Sequence, residues 1–206
     1  MDFKTKRSTP IAEIKRPAGV LENPNFQRWF SGSKVVDGLG TPLVVYHGTK
    51  EEFTTFEVGR TTTNFSFAPY ETNREGIFFT PSREFADEFS DDRDRTLAAY
   101  LRIKNPLDLS EGYPNDFYKR HRDLLSENNL MCMQPHEMWE MLDDGFPGSA
   151  EFIDAIKGDG YDGLKMVERA RDGHLQDVFV VFKPEQIKSA TTNDGSFDPG
   201  NVDITK

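Results

Sequence analysis

The chain has 206 residues, of which 36 % are hydrophobic and 29 % charged, and a formal net charge of −10. That length supports one domain with a buried core, and the acidic balance argues against a general nucleic-acid binder, which needs clustered Lys and Arg. A single cysteine, Cys132, rules out an intramolecular disulfide and fits a reducing, cytoplasmic compartment; no apolar run approaches a membrane span, and the N-terminus lacks a secretory apolar core.

Residues 1–25 read as a polar tail, partly basic, with Pro10, Pro17 and Pro24. The domain is expected over 26–206. Phe26, Trp29 and Phe30 fall at helical spacing and predict a short helix docking its rings on the core. "KVVDGLGTPLVVYHGT" reads as a hairpin around a Gly/Pro turn. Residues 50–74 are expected to be irregular and long for a connection. "GIFFT" is a short buried strand. A helix follows, with Thr80 as its N-cap, Pro81 at the first position, and Phe85 and Phe89 four apart on one face.

"TLAAYLRIKNPLDL" reads as one strand ending at Asn105-Pro106, and residues 113–158 as a broken helical region. "GDGYDGLKMVE" is a turn and a strand, "DVFVVFKPEQI" the strongest strand, and the last fifteen residues coil. Strands at both ends with helices between, and no β–α alternation, give an α+β class.

Most familiar chemistry is missing from this pattern. His121, His136 and His174 read as exposed. No histidine pair has metal-binding i, i+4 spacing around an acid and no CxxC exists, so no metal site is expected. "DDRDR" at 91–95 reads as a solvated loop, and Cys132, between Met131 and Met133, as packed in an apolar patch. Walker, GxGxxG and GxSxG motifs are lacking. What remains sits at strand edges: His47 after "LVVY", Phe78 in "GIFF", Phe89, and Gln176 or Asp177 entering the strong strand. Taken singly, each is an ordinary core or surface residue.

In this order the blocks resemble the ADP-ribosyltransferase superfamily, in its diphtheria-toxin and poly(ADP-ribose) polymerase-like branch. They are closest to the ADP-ribosyltransferase-like domains of polyvalent phage and mobile-element proteins. "VVDGLGTPLVVYHGT", "GIFFTPSREFADEF", "NPLDL", "GYDG" and "VVFKPEQIKSATTNDGSFDP" carry the likeness, which spans about residues 26–204. The resemblance implies a split antiparallel β-sandwich with flanking helices and a helical insertion. It also implies cleavage of the nicotinamide–ribose bond of NAD+, which serves as substrate without a metal, and transfer of ADP-ribose to a protein or RNA acceptor; a single transfer per site is the more economical expectation.

The resemblance also assigns roles. His47 donates to the adenosine ribose, the Gly48 backbone holds the nicotinamide carboxamide with Thr49 in support, and Phe78 and Phe89 stack on nicotinamide. In both aromatic positions Phe replaces the tyrosine of the pattern, which keeps the ring and loses the hydroxyl. Arg60 or Arg74 suits the pyrophosphate.

In the polymerases the acid lies eight residues before the Gln of the "QI" element. Here that position is Val178. A bulge turning Asp177 inward, Gln176 in its stead, or an acid from elsewhere such as Glu185 or Asp162 are the alternatives. Gln186 and Lys188 read as anchors of the strand end. An idle NAD- or ADP-ribose-binding module and an NAD+ glycohydrolase are the competing functions, and a toxin, effector or phage role goes with the first.

Overall fold

The computed structural model describes residues 18–59, 61–63, 71–73, 75–90, 95–142 and 146–206. Arg60, Arg74 and residues 91–94 therefore lie outside the described residues, as do residues 1–17. In chain order the main elements are α1 (Pro24–Phe30), β1 (Val45–Gly48), β2 (Thr61–Thr63), β3 (Glu71–Asn73), β4 (Ile77–Phe79), α2 (Arg83–Asp87), β5 (Thr96–Leu101) and β6 (Pro106–Asp108). Then come α3 (Asn115–Arg120), α4 (Arg122–Glu127), two 3-10 turns, α5 (Ser149–Gly158), β7 (Gly163–Arg169), β8 (Leu175–Val181) and β9 (Ile187–Ser189).

Two sheets result, in the orders β1-β5-β9 and β4-β8-β7-β6, with β2 and β3 as a separate pair. The sheets meet at one antiparallel bridge, Tyr46 with Thr80, closed by backbone bonds of 2.7 and 3.0 Å. Strand alternation sorts the core into three layers. Val45, Ala99, Leu101 and Ile187 of the first sheet cluster with Ile77, Phe79, Phe179 and Val181 of the second. The opposite face of the first sheet, with Tyr46 and Tyr100, receives the rings of α1. The opposite face of the second, with Leu164, Met166, Val178 and Val180, is covered by residues of the helical region such as Leu125, Met138 and Phe152.

The helix of Phe26, Trp29 and Phe30 forms as the spacing requires, and all three rings are buried. Its cap is Asn23, whose side chain accepts from the Asn25 N–H, with Pro24 at the first helical position. Val20 and Leu21, within the expected tail, pack against the same cluster.

Several expectations are corrected. The hairpin at 35–45 keeps its turn, through Asp37 N–H to the Thr41 carbonyl at 2.9 Å, but only Val36 and Pro42 form a bridge. The irregular segment contains the antiparallel β2–β3 pair. The strand expected through Asn105 is two strands in different sheets, because the chain leaves β5 at Leu101 and re-enters as β6.

The sheets are not wholly antiparallel either, since β6 pairs β7 in parallel. A parallel pair needs a long crossover, and the helical region between Asp108 and Gly163 provides it. Helix α2 is capped by Ser82, which accepts from Phe85 N–H, rather than by Thr80. Thr80 instead bonds the Ser82 N–H. Cys132 is exposed rather than packed. His121 is not a plain surface residue: Nε2 lies 2.9 Å from Asp159 Oδ2, which Arg120 also bonds. Among the described residues no helix is long and apolar enough to cross a membrane.

Gln186 ties the ends of both sheets together. Its Oε1 accepts from Phe182 and Lys183 N–H at 3.1 and 2.9 Å, and its Nε2 donates to the Arg102 and Asp162 carbonyls at 3.0 and 2.7 Å. Nearby, Lys188 is fully buried and donates to the Asn201 and Asp203 carbonyls. Burial pushes its ammonium below the ordinary lysine pKa, while Asp198 and Asp203 pull the other way. Truncating the amide strands buried donors and acceptors. Gln186→Ala is therefore expected to cost about 2–4 kcal/mol, read as a lower urea midpoint at unchanged slope. A cost below about 0.5 kcal/mol would mean that these groups find other partners.

Candidate NAD-binding site

β1 carries His47 to the junction of the two sheets. Its ring lies among Phe56, at 5.0 Å and 83°, and Phe79, at 5.4 Å and 45°. Nδ1 donates to the Phe78 carbonyl at 2.8 Å. A carbonyl only accepts, so Nδ1 carries the proton and Nε2 the lone pair. Desolvation lowers the pKa of the ring, against a smaller upward pull from the Phe78 carbonyl. The neutral ring thus offers Nε2 as an acceptor. A donor role for Nε2, which the resemblance implies, would need the protonated ring.

Gly48 is glycine because α2 packs closely against it. A Cβ there would lie 1.9 Å from the Ala86 carbonyl oxygen and 3.0 Å from Phe89 Cβ. Space for α2 accounts for the missing side chain. Thr49 closes a turn, with Oγ1 donating to the Glu51 carbonyl and accepting from the Glu51 N–H. Its own N–H donates to the Arg95 carbonyl at 3.3 Å.

Phe89 was expected within the helix but lies just beyond it, since α2 ends at Asp87. It is 47 % exposed and meets Phe85 edge-on at 5.2 Å. Its Cβ, packed close to Gly48, sets an accessible ring beside the His-Gly strand end. Phe78 is half-buried and packs with its ring toward the helical layer, while its carbonyl orients His47. The structure therefore brings His47, Gly48, Phe78 and Phe89 together.

The acid is not where a bulge would put it. β7 and β8 pair without interruption from Gly163↔Val181 to Arg169↔Leu175. Asp177 shares the face of Phe179 and Val181 and is exposed; Gln176 shares that of Val178 and Phe78 and is half-buried. Val178 is 2 % exposed and opposes Met166.

Both distant alternatives have other surroundings. The Asp162 carboxylate accepts from Lys104 and Asn105 N–H, and Glu185 lies beside Trp29, whose indole N–H meets its carbonyl. Two features had no local signal. Glu88 receives the Arg171 N–H at 3.2 Å and Arg171 Nη2 bonds the Glu88 carbonyl at 3.3 Å, which latches the β7–β8 turn to the end of α2. The other is Glu168, which faces Gln176 only once β7 and β8 have paired. Arg60 lies outside the described residues. Among the described residues no group of three His, Cys, Asp or Glu is placed to hold a metal.

The profile of a family described as ADP-ribosyltransferase in polyvalent proteins matches residues 37–197. The chain belongs to this family. ADP-ribosyltransferases use NAD+ as substrate, and the matched span takes in His47, Gly48, Phe78, Phe89, Gln176 and Asp177 of this transferase. No curated protein matches the chain. A solved anti-CRISPR protein is loosely similar, with a TM-score of 0.37 and 12 % identity over 68 % of this chain and 88 % of the other.

Two outcomes test this geometry. Gly48→Ala is expected to lose about 1–3 kcal/mol of stability as α2 is pushed off β1, measured by thermal unfolding; parent-like stability would mean that α2 is not seated there. For His47 the folded pKa lies below the unfolded one. Its contribution to stability is therefore full above about pH 6.5 and is lost as pH falls through the lowered folded value. His47→Asn, which keeps a donor toward Phe78, should flatten that part of the stability–pH curve. An unchanged curve would show that His47 is not the titrating group.

Proposed function

We propose that this transferase cleaves NAD+ and moves a single ADP-ribose to a protein or RNA acceptor. The carrying observation is the neutral His47, locked by the Phe78 carbonyl, with Nε2 left to accept beside the accessible Phe89 ring. We read the two sheets joined at Tyr46–Thr80 as a split sandwich that opens a cleft at this junction. His47 Nε2 then accepts from a hydroxyl of the adenosine ribose, and Phe78 and Phe89 flank the nicotinamide. The bond between ribose C1′ and the nicotinamide nitrogen breaks, and its electron pair leaves with the ring. The acceptor atom bonds C1′ and gives up its proton to solvent or a base. Positive charge builds on the ribose meanwhile, as in glycoside hydrolysis.

Such activity fits a mobile-element or phage toxin or effector acting in the cytoplasm of its producer or target. A second reading has a specific basis. Val178 occupies the place of the polymerase acid, and both stacking positions lack the tyrosine hydroxyl, as in an idle NAD-binding module. Water in place of the acceptor would give NAD+ hydrolysis.

Incubation with adenylate-labelled NAD+ and cell lysate distinguishes these. Label on protein or RNA with release of nicotinamide supports transfer, release without label supports hydrolysis, and binding without release supports the idle module. His47→Ala should weaken NAD+ binding by about 10-fold, the worth of one net hydrogen bond. Unchanged affinity and turnover in that variant would place the site elsewhere.

A further inference from the structure

The end of α2 is tied to three different parts of the fold by three consecutive residues. The Ala86 carbonyl rests against Gly48 of β1, and it also accepts the Phe89 N–H at 3.1 Å. The Asp87 carboxylate accepts from the hydroxyl of Thr96, the β5 residue that pairs with Gly48. Glu88 meets the β7–β8 turn twice. Its carboxylate accepts the Arg171 N–H, with the two oxygens at 3.3 and 3.2 Å, and its carbonyl accepts from Arg171 Nη2 at 3.3 Å. Phe89 is the next residue in the chain.

The Phe89 ring meets Phe85 edge-on and is otherwise open on much of its surface. Packing alone therefore constrains the ring weakly, and the placement of its backbone decides where it stands. The ties through Ala86 and Asp87 lie between α2 and the sheet, on the half-buried Gly48 and Thr96. The tie through Glu88 is different. The Arg171 side chain is 78 % exposed and its Nε stands 3.7 Å from the carboxylate, so the ion pair adds little to global stability. The N–H bond to the carboxylate is charge-assisted, and together with the bond to the Glu88 carbonyl it fixes one short stretch of backbone. Contacts of this kind govern local order more than folding.

We propose that Glu88 is a positioning residue for NAD+: by holding Arg171 it fixes the chain at the end of α2 and stands the Phe89 ring ready for the nicotinamide. The assignment rests on the NAD+ reading proposed above, in which Phe89 flanks that ring. Glu88 acts through Phe89 and not on the substrate. Without the tie, the ring has to be ordered at the moment of binding, which weakens affinity by about 2- to 10-fold for one side chain.

The test is a double-mutant cycle on the full chain, with NAD+ affinity read by calorimetry and stability by unfolding midpoint. Glu88→Ala should bind NAD+ about fivefold more weakly at a midpoint near that of the parent. Glu88→Gln keeps an acceptor oxygen and should stay within about twofold of the parent. Phe89→Ala should lose about 10-fold, and adding Glu88→Ala to it should change affinity no further, because the ring that Glu88 positions is gone. If Glu88→Ala unfolds, Arg171→Glu alters only an exposed side chain and sets a second carboxylate against Glu88. It should lower affinity about fivefold when Phe89 is present and leave it unchanged when Phe89 is absent.

Affinity within about twofold of the parent in the folded Glu88→Ala or Arg171→Glu variant overturns the assignment and leaves NAD+ binding standing. An equal loss with and without Phe89 overturns it too, since Glu88 would then act by another route. So does a Glu88→Gln variant as weak as Glu88→Ala, or a Phe89→Ala variant that binds like the parent. No binding by the parent sinks the proposed function, and this assignment with it.

Discussion

The site depends on one antiparallel bridge. Tyr46 and Thr80 exchange two backbone hydrogen bonds and join sheets that otherwise have separate ladders. The next residues on either side are His47 and Phe79, whose rings meet within the layer between the sheets. Phe78, one residue further, turns its ring the other way and its carbonyl toward His47. The tautomer of the histidine is thus set by the main chain of the neighbouring sheet. Because β4 ends at Phe79 while β8 extends out to Leu175, the outer half of β8 has no β4 partner on that side. The end of α2 and the latched turn lie near this outer half, and Phe89 lies at the same end.

The junction is held from the far ends of the strands. Gln186 meets main-chain groups from three stretches: Arg102 after β5, Asp162 before β7, and Phe182 and Lys183 after β8. Lys188 ties β9 to the C-terminal coil. Burying an amide and an ammonium costs free energy unless every polar atom is matched. Here both amide atoms of Gln186 are matched, and the two acceptors on Lys188 are main-chain carbonyls. The distinctive "EQIKSA" stretch therefore belongs to the scaffold.

Legibility followed locality. The rings of α1, the strand "IFF" and the apolar β8 announce themselves through periodicity and run length, because burial of neighbouring residues decides them. The role of Gln186 as an anchor was also readable. The cap at Ser82 is hidden because Thr80, Pro81 and Ser82 all carry start signals and the bridge to Tyr46 claims Thr80. The parallel pairing of β6 with β7 was hidden since it joins segments 57 residues apart in sequence, and the Glu88–Arg171 latch since it joins residues 83 apart. Exposure of Cys132 follows from how the 3-10 turn at Leu130–Cys132 buries Leu130 instead.

The His-Gly-Thr element shows how a motif and its chemistry can separate. Its glycine admits the carbonyl of Ala86, and its threonine closes a turn. Both would be required by a fold that had lost every ligand. Of the three, the histidine alone has a titratable side-chain atom, Nε2, and its state is imposed by Phe78 and by desolvation. Resemblance in this element is thus evidence for the junction of two sheets first and for a reaction second. Beyond the junction the sheet face of Phe78 continues along β8 and β7 into Gln176 and Glu168, outside the reach of the His-Gly-Thr element's own packing.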